Sequence, residues 1–417
     1  MSHSPETNKH KIINDPVYGF IKVPFDSVFD LIEHRYFQRL RRIRQLGMTH
    51  YVYPGANHTR FQHALGAMHL MGMAIDIIRS RGHEITDHEA EAVTIAILLH
   101  DIGHGPFSHS LENSLVKNVS HERISLMFME ILNEEFDGKL STAIQIFNNQ
   151  YPKRFLHQLV SSQLDMDRLD YLKRDSFFTG VTEGVIGSDR IIKMLNVVDD
   201  NLVIDQKGIY SIEKFLIARR LMFWQVYLHK TVLSADQLLV SLLKRAHHLS
   251  LEGKKLFATP ALQFFLESTD ETFRNPRRNV FLEYFSQLDD TDIISSAKVW
   301  TSHHDPVLSL LCNCFVNRRL FSIELQDEAF SDERIEELKH KVSRHLSITG
   351  EEANYLVTSE SISNYIYTDL DDRIKIFRKD GRILDIADAS DMLNISVLSK
   401  TIRKYFLWYP RFIKEIS

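Results

Sequence analysis

The sequence predicts a mostly α-helical protein that carries a short β-hairpin near its N-terminus and a small α+β subdomain at its C-terminus. Three observations support this fold class. Long stretches between residues 60 and 346 repeat apolar residues at helical spacing. Residues 11–24 alternate apolar residues around Asn-Asp-Pro and Gly. Residues 354–388 alternate around Lys379-Asp380-Gly381-Arg382, a sequence typical of hairpin turns.

These patterns divide the chain into four segments. Residues 1–50 contain the hairpin and a first helix, residues 51–240 the main helical core, residues 241–346 a helical extension, and residues 347–417 the α+β subdomain. Within the core, residues 196–208 predict two short strands about a turn, and residues 210–243 predict one long helical segment.

Composition indicates an ordinary globular protein. With 417 residues, 44% of them apolar, the chain can bury a large core, and its net charge of −5 argues against a general binder of nucleic acids or anionic membranes. No apolar run is long enough to span a bilayer, and the polar start MSHSPETNKH is unlike a signal peptide, so we expect a cytoplasmic protein. Cys312 and Cys314 fit an apolar core, although a C-x-C pair can also ligate a metal.

The most informative stretch is a predicted buried helix that ends in charge. Thr86 and Glu89 form a capping-box pattern, and residues 90–99 are apolar nearly all round, up to His100-Asp101. Burying an imidazole beside a carboxylate costs several kcal/mol unless a cation compensates, and a divalent metal is a common compensation. The alternative is a hydrogen-bonded His-Asp pair that closes the helix end.

Two other predicted helices direct polar residues inward. His63 begins a face shared with Ala67, Leu70, Ala74 and Ile77. Asp167 shares a second face with Leu156, Val160, Gln163 and Tyr171. Two imidazoles and two carboxylates form a mixed nitrogen and oxygen site, which suits Mn, Fe or Zn better than Mg. Four protein ligands leave coordination positions open, so we predict a catalytic metal site.

At this point the residues His63, His100-Asp101 and Asp167 resemble the H…HD…D signature of the HD-domain metal-dependent phosphohydrolases. The strings INDPVYGFI, QRLRRIRQLG, YPGANHTRFQHALG, LLHDIGHGPFSH and MDRLDYLKRD are similar to its deoxynucleoside triphosphate (dNTP) triphosphohydrolase branch. The similarity covers about residues 10 to 240 and thins after about residue 320. It implies metal-dependent attack of water at the α-phosphorus of a dNTP, which releases a deoxynucleoside and triphosphate.

Several residues are candidates for contacts with the phosphates and the nucleoside of the substrate. Arg60 lies one helical turn before His63, so its guanidinium can grip a phosphate beside the metal, although a lone arginine more often forms a surface salt bridge. The resemblance adds Arg168, Arg219 and Lys230 for the phosphates, with Mg as a possible phosphate counterion. It also places five residues around the deoxyribose and base: Gln45, Leu46, Tyr171, Asp175 and Tyr227. Phe223 departs from the histidine found in part of the family.

Hydrolysis also needs acid–base groups close to the metal. His104, His109, Glu112 and His121 follow the HD pair, and an uncoordinated imidazole titrates near neutral pH and can move a proton. A carboxylate can orient such an imidazole or the attacking water. For His109, an alternative role in helix packing remains open.

Residues 26–46 form a helical pattern that carries Arg35, Arg39, Arg41, Arg42 and Arg44. They form either a solvated helix face or a surface for a polyanion or a partner subunit. The resemblance favours the second interpretation, because tetrameric members of the family bind an activating nucleotide between subunits here. The matching positions are Lys11, Ile12, Asn14, Glu33, Gln38, Arg41 and Arg318.

Two other functions remain alternatives to a dNTP triphosphohydrolase. One is an HD phosphohydrolase acting on another nucleotide, such as a monophosphate or an alarmone, against which the series Arg60, Arg168, Arg219 and Lys230 argues. The other is a catalytically silent nucleotide-sensing scaffold. Retention of all four candidate metal ligands argues against it.

Overall fold

The computed structural model describes residues 11–112, 114–116, 119–269, 278–364, 373–390 and 402–415. The helices are α1 (Asp26–Glu33), α2 (Arg35–Gln38), α3 (Arg60–Ser80), α4 (Asp87–Leu99), α5 (Ser108–Glu112), α6 (His121–Glu135), α7 (Ser141–Phe147), α8 (Arg154–Val160), α9 (Met166–Thr179), α10 (Ser188–Lys193), α11 (Ile209–Met222), α12 (Lys230–Leu251), α13 (Pro260–Glu267), α14 (Arg278–Phe285), α15 (Asp290–Trp300), α16 (Pro306–Val316), α17 (Asp332–Leu346), α18 (Gly350–Ala353) and α19 (Ile386–Ala389). The strands are β1 (Ile12–Asp15), β2 (Gly19–Lys22), β3 (Leu195–Val198), β4 (Asn201–Asp205), β5 (Ser322–Gln326), β6 (Thr358–Asn364), β7 (Lys375–Phe377), β8 (Ile383–Asp385) and β9 (Ile402–Tyr409). The predicted mostly helical fold is confirmed.

The predicted N-terminal hairpin is also confirmed. Strands β1 and β2 pair antiparallel, with Ile13 opposite Ile21. The Asp15 carboxylate accepts hydrogen bonds from the backbone N–H groups of Val17 and Tyr18, and Gly19 takes the positive φ (77°) that closes the turn. Buried Ile21 anchors the inner face of the hairpin in the core.

Three packed helices position the candidate site. The predicted capping box of Thr86 and Glu89 starts α4, and Thr59 with Gln62 starts α3 in the same way. Helix α3 packs against both α4 and α9. His63 lies in the first turn of α3, His100 directly follows α4, and Asp167 lies in the first turn of α9. Three helix ends therefore meet at one place in the core.

The predicted helix over residues 26–46 is interrupted. Its backbone becomes extended at His34, whose Nδ1 accepts a hydrogen bond from the backbone N–H of Tyr36 and so starts α2, and a 3₁₀ turn follows over Arg39–Arg42. The interpretation of Arg39 as a solvated or partner-binding residue is wrong. Its guanidinium is fully buried and donates to the carbonyl oxygens of Ile102 (2.8 Å), His104 (2.9 Å) and Leu288 (3.3 Å).

Two other predicted helical stretches are also broken. Helix α8 ends at Val160 and α9 begins at Met166, because the Asp165 carboxylate caps the new helix by accepting from the backbone N–H groups of Ser162 (2.9 Å) and Arg168 (2.7 Å). Asp167 therefore belongs to the start of a helix, not to the middle of one. The long segment after residue 209 divides at a π-helical turn over Phe223–Tyr227.

The C-terminal strands complete sheets that begin earlier in the chain. Strand β7 pairs parallel to β4 and antiparallel to β8, and the predicted turn between β7 and β8 is confirmed, with Gly381 at φ 83°. Strand β9 lies between β5 and β6. The segment boundaries at residues 50, 240 and 346 remain predictions. Cys312 and Cys314 are buried in α16, as expected of core residues. Among the helices that the structure describes, none has the length and apolar character needed to cross a bilayer.

Candidate metal centre

The four candidate metal ligands converge. The Nε2 atom of His63 lies 3.1 Å from Oδ1 of Asp167 and 3.7 Å from Oδ2 of Asp101, and the Nε2 atom of His100 lies 3.4 Å from Oδ1 of Asp167 and 3.3 Å from Oδ1 of Asp101. Ligand atoms that are each about 2.1 Å from one metal ion lie roughly 3.0–3.4 Å apart at octahedral or tetrahedral angles. One ligand atom each from His63, His100 and Asp101 lie within 4.8 Å of one another, close enough to hold a single divalent ion, and Oδ1 of Asp167 lies beside both imidazoles.

Both imidazoles are oriented by their other nitrogen. Nδ1 of His63 lies 2.7 Å from Oδ2 of Asp170, and Nδ1 of His100 lies 2.6 Å from the carbonyl oxygen of Ile97. Because each acceptor takes the proton on Nδ1, Nε2 is the nitrogen that faces the carboxylates and that can ligate a metal when the ring is neutral. Within the described residues, neither buried Nε2 atom has a hydrogen bond of acceptable geometry. Such orphaned nitrogens fit metal ligation.

The electrostatics of the cluster also call for a cation. Burial alone would lower the pKa of His63, but the nearby carboxylates of Asp167 and Asp170 raise it to about 10. Burial would raise the pKa of Asp101, but the charges of His100, His104 and Arg60 hold it well below its usual range. Without a metal ion, bound protons supply the positive charge that the carboxylates need. A divalent ion would displace those protons.

Cationic side chains flank the cluster. Nη1 of Arg60 donates to Oδ2 of Asp101 at 2.6 Å, and Arg168 forms an ion pair with Asp165. Nη1 of Arg219 donates to Oε1 of Gln163 at 2.8 Å. Across the described chain, the buried Nε atoms of Arg60 and Arg168 lack partners, as does Oε1 of Gln45, a predicted nucleoside contact. These polar atoms are available to a bound phosphate or base.

The candidate acid–base residues lie beside the metal ligands. The rings of His104 and His121 stack with centroids 3.9 Å apart, and Nδ1 of His121 lies 3.2 Å from Oε1 of Glu112. Nε2 of His104 lies 3.2 Å from Oδ1 of Asp101. Burial and the charge of Arg60 lower the pKa of His104 to about 3, whereas the hydrogen bond to Glu112 raises the pKa of His121 despite its burial. The side chain of His109 lies outside the described part.

Two of the candidate nucleoside residues, Tyr171 and Asp175, form a strip along α9 together with Asp167. Asp167, Tyr171 and Asp175 occupy successive turns of one helix face, and Asp175 lies about 12 Å from Asp167 along the axis, at 1.5 Å per residue. The Asp175 carboxylate accepts from Tyr227 Oη (2.8 Å), and its other oxygen lies 2.7 Å from Nε2 of the buried His58. The ring of Tyr171 contacts that of Tyr227 edge to face.

The remaining candidates lie elsewhere. Lys230 begins α12, on the wall of a cavity that also contains Arg411 and Lys414, and Leu46 is half-buried just before the 3₁₀ turn Gly47–Tyr51. Among the candidate regulatory residues, Arg41 donates to Gln38 (2.8 Å) and covers the ring of Phe61, and Arg318 donates to the carbonyl oxygen of Tyr51 (2.9 Å). Arg41 and Arg318 are exposed, as are Lys11, Ile12, Asn14 and Glu33. Their assignment to a nucleotide site remains a prediction.

Sequence reasoning missed several residues that support the centre. Asp170 and Arg174, an i,i+4 pair on α9, make a buried ion pair, and their spacing gave a usable signal. His58 lies within the string YPGANHTRFQHALG and carried no separate signal. Asp15 and Arg39 act across long sequence separations, so local patterns could not identify their partners.

Two family models match parts of this chain. The family model described as HD domain matches residues 60–175, which include all four candidate ligands, and the model described as HD associated region matches residues 186–272. A crystal structure of a phosphohydrolase from Bacteroides thetaiotaomicron is 58% identical, with a TM-score of 0.93, over 96% of this chain and 100% of that one.

Two curated relatives extend the comparison. The uncharacterized protein YwfO of Bacillus subtilis is 31% identical over 97% of this chain and 93% of its own length. A Dictyostelium discoideum protein named deoxynucleoside triphosphate triphosphohydrolase SAMHD1 homolog is 36% identical over 53% of this chain. The match covers 46% of that protein, so the chain spans about half of its length.

Proposed function

Because the chain belongs to the HD domain family, we propose that it is a metal-dependent dNTP triphosphohydrolase. The single observation that carries the proposal is the arrangement around His63 and His100. Two Nε2 atoms with fixed orientation face two carboxylates, Arg60 donates to the candidate ligand Asp101, and Arg168 directly follows the candidate ligand Asp167 in α9. A site that combines a divalent cation with guanidinium groups matches a polyphosphate substrate.

The proposed reaction is hydrolysis at the α-phosphorus. The oxygen of water forms a bond to that phosphorus and gives up a proton, the bond from phosphorus to the 5′ oxygen breaks, and the 5′ oxygen takes up a proton. A divalent ion held by His63, His100, Asp101 and Asp167 would supply Lewis-acid charge to the phosphate oxygens. Arg60, Arg168 and Arg219 orient the triphosphate. His121, oriented by Glu112 and stacked on His104, is the proposed proton donor.

The strip on α9 supports a nucleoside as the other half of the substrate. Tyr171 lies between the metal end of the strip and Asp175, at the distance where a sugar would follow the α-phosphate. A tyrosine ring against the 2′ carbon leaves little room for a hydroxyl group, which favours a deoxyribose. Asp175 is positioned to accept a hydrogen bond from a sugar hydroxyl while Tyr227 fixes its carboxylate.

Regulation by a second nucleotide is part of the same proposal. Lys11, Asn14, Gln38 and Arg41 would bind an activating nucleotide between subunits of a tetramer, and binding would then be coupled to assembly. Sedimentation with and without dNTP tests this idea. Wild type should shift to a larger species with dNTP, whereas Arg41→Ala should shift less and keep its metal.

Product analysis tests the activity. Protein loaded with Mn²⁺ is incubated with the four dNTPs, and the products are separated by chromatography. We expect deoxynucleosides and intact triphosphate, and much slower turnover of the matched ribonucleoside triphosphates. Release of deoxynucleoside monophosphate with pyrophosphate would contradict the proposal. Turnover of monophosphates or alarmones alone would favour the alternative HD phosphohydrolase, and no turnover of any nucleotide would favour the sensing scaffold.

A further inference from the structure

A continuous chain of buried polar contacts joins the N-terminal hairpin to the metal centre. It runs from Asp15 on β1 through Arg174 and Asp170 on α9 to His63 on α3. Nη1 of Arg174 donates to Oδ2 of Asp15 at 2.8 Å, Nε of Arg174 donates to Oδ2 of Asp170 at 2.9 Å, and the same Asp170 oxygen lies 2.7 Å from Nδ1 of His63. Arg174, Asp170 and His63 are fully buried, and Asp15 is nearly so.

Arg174 holds the Asp170 carboxylate by two contacts. Besides the bond from Nε, its Nη2 donates to Oδ1 of Asp170 at 3.1 Å. This bidentate contact fixes the plane of the carboxylate, and that plane sets the direction from which His63 donates its Nδ1 proton. Any shift of the Arg174 guanidinium must therefore move the Asp170 carboxylate or weaken its hydrogen bond to His63.

Helix α3 is shaped to admit this contact. A Cβ atom at Gly66 would lie 2.0 Å from Oδ1 of Asp170 and 2.3 Å from Nη2 of Arg174. Neither buried group could move aside without breaking the bonds that satisfy it. A glycine is therefore required at position 66 for the ion pair to sit against the helix that carries His63.

At the end of this series of contacts that is remote from the metal centre, the hairpin has one face exposed to solvent. The outer face of the hairpin exposes Ile12 and Phe20, at 61% and 70% of their surface, while Asp15 points inward to Arg174. Asp15 also forms the hairpin turn, because its Oδ1 accepts from the backbone N–H groups of Val17 and Tyr18. One side chain thus fixes both the turn and the contact with Arg174.

We propose that Asp15 and Arg174 are positioning residues that couple the seating of the hairpin to the geometry of His63, and hence to metal affinity. The inference rests on the metal centre of the proposed function but not on its substrate. Coupling is reciprocal, so metal binding must in turn stabilise the hairpin. Any contact on the outer face of the hairpin that holds or shifts it therefore changes the affinity of the site for the metal.

The variant Asp15→Asn tests the coupling with little disturbance of the turn. The asparagine Oδ1 can still accept from Val17 and Tyr18 and keep its longer contact with Nη2 of Arg174 (3.4 Å), whereas its NH₂ group replaces Oδ2, the oxygen that accepts from Nη1 at 2.8 Å. Metal loss is followed by mixing Mn²⁺-loaded protein with a chelator. Loss of a supporting partner typically lowers metal affinity 10- to 100-fold, and we expect roughly 10-fold faster release because Asp15 acts through Arg174.

The matched control is Asp205→Asn, which removes another carboxylate bound to an arginine, Arg81 (2.6 Å), away from the centre. It should release Mn²⁺ at the wild-type rate. Equal release by wild type and Asp15→Asn would overturn the inference. Failure of wild type to bind Mn²⁺ would instead overturn the metal centre, so the two failures are distinguishable.

Hydrogen exchange on the wild type gives a second test that needs no variant. Mn²⁺ should slow amide exchange in the β1–β2 hairpin as well as around His63. Exchange of hairpin amides that does not respond to Mn²⁺, while amides near the bound ion do respond, would show that the two regions are independent.

Gly66→Ala, which forces Asp170 and Arg174 apart, should lose metal to a greater extent than Asp15→Asn.

Discussion

The imidazole rings of His104 and His121 stack with centroids 3.9 Å apart and planes 18° apart. The backbone carbonyl oxygen of His104 accepts a hydrogen bond from the buried Arg39, and Nε2 of His104 lies 3.2 Å from the Asp101 carboxylate. His104 is thus fixed between the candidate metal ligand Asp101 on one side and the His121–Glu112 pair on the other. This position suits a residue that acts on protons without holding the metal.

The variant His104→Ala should therefore separate binding from chemistry. Removal of a group in the acid–base set typically lowers kcat by about 10²- to 10⁴-fold. The metal content, measured by elemental analysis, and the affinity for dNTP should stay near the wild-type values. A variant that loses its metal would place His104 among the ligands.

Loss of a metal ligand should have the opposite signature. His63→Ala or Asp101→Ala should abolish metal content and activity together, because each removes a buried donor that the others cannot replace. Breaking such a buried charge cluster costs about 3–5 kcal/mol, so the Tm should fall as well. His83→Ala is a matched control, since that imidazole contacts Asn196 away from the centre. Full metal occupancy in either ligand variant would refute the assignment.

A third prediction concerns His58, which supports the candidate nucleoside contact Asp175. Without that donor, Tyr227 is the one remaining hydrogen-bond partner of the Asp175 carboxylate among the described residues, so the carboxylate can rotate. His58→Phe should raise KM for dNTP several-fold, with a smaller effect on kcat. His58→Gln, whose amide can still donate to Asp175, should recover most of the affinity. Equal KM values for the two variants would show that His58 acts only in packing.

The fourth prediction links stability to pH. Burial raises the pKa of Asp290 to about 6 from an ordinary value of 3.8. The folded protein therefore binds this proton more tightly than the unfolded chain, so the associated stability is present below about pH 4 and is lost as pH rises through 6. Asp290→Asn carries no such penalty. Its free energy of unfolding relative to wild type should rise by up to about 3 kcal/mol between pH 4 and pH 7.5.

Denaturation of both proteins across that pH range measures the difference directly. Contributions from all other titrating groups are shared and cancel. A difference that stays constant with pH would show that Asp290 ionises normally in the folded protein, whatever constant offset the asparagine introduces.

Local signals explain which parts of the molecule the sequence could predict. The capping box of Thr86 and Glu89 and the inward face of His63 depend on neighbours within a few turns, and both appear as expected. By contrast, Asp15 and Arg174 are 159 positions apart, and Arg39 finds its acceptors 63 and 65 positions away. No periodicity encodes such partners. The break before α9 was missed because Asp165 competes with the helix through its own side chain.

The most direct test of the proposed function is to follow the oxygen of the attacking water. Mn²⁺-loaded protein turns over a dNTP in H₂¹⁸O, and mass spectrometry locates the label in the separated products. Attack at the α-phosphorus with departure of the 5′ oxygen predicts one ¹⁸O atom in triphosphate and none in the deoxynucleoside. Label in the deoxynucleoside, or in released monophosphate or orthophosphate instead of triphosphate, would contradict the account.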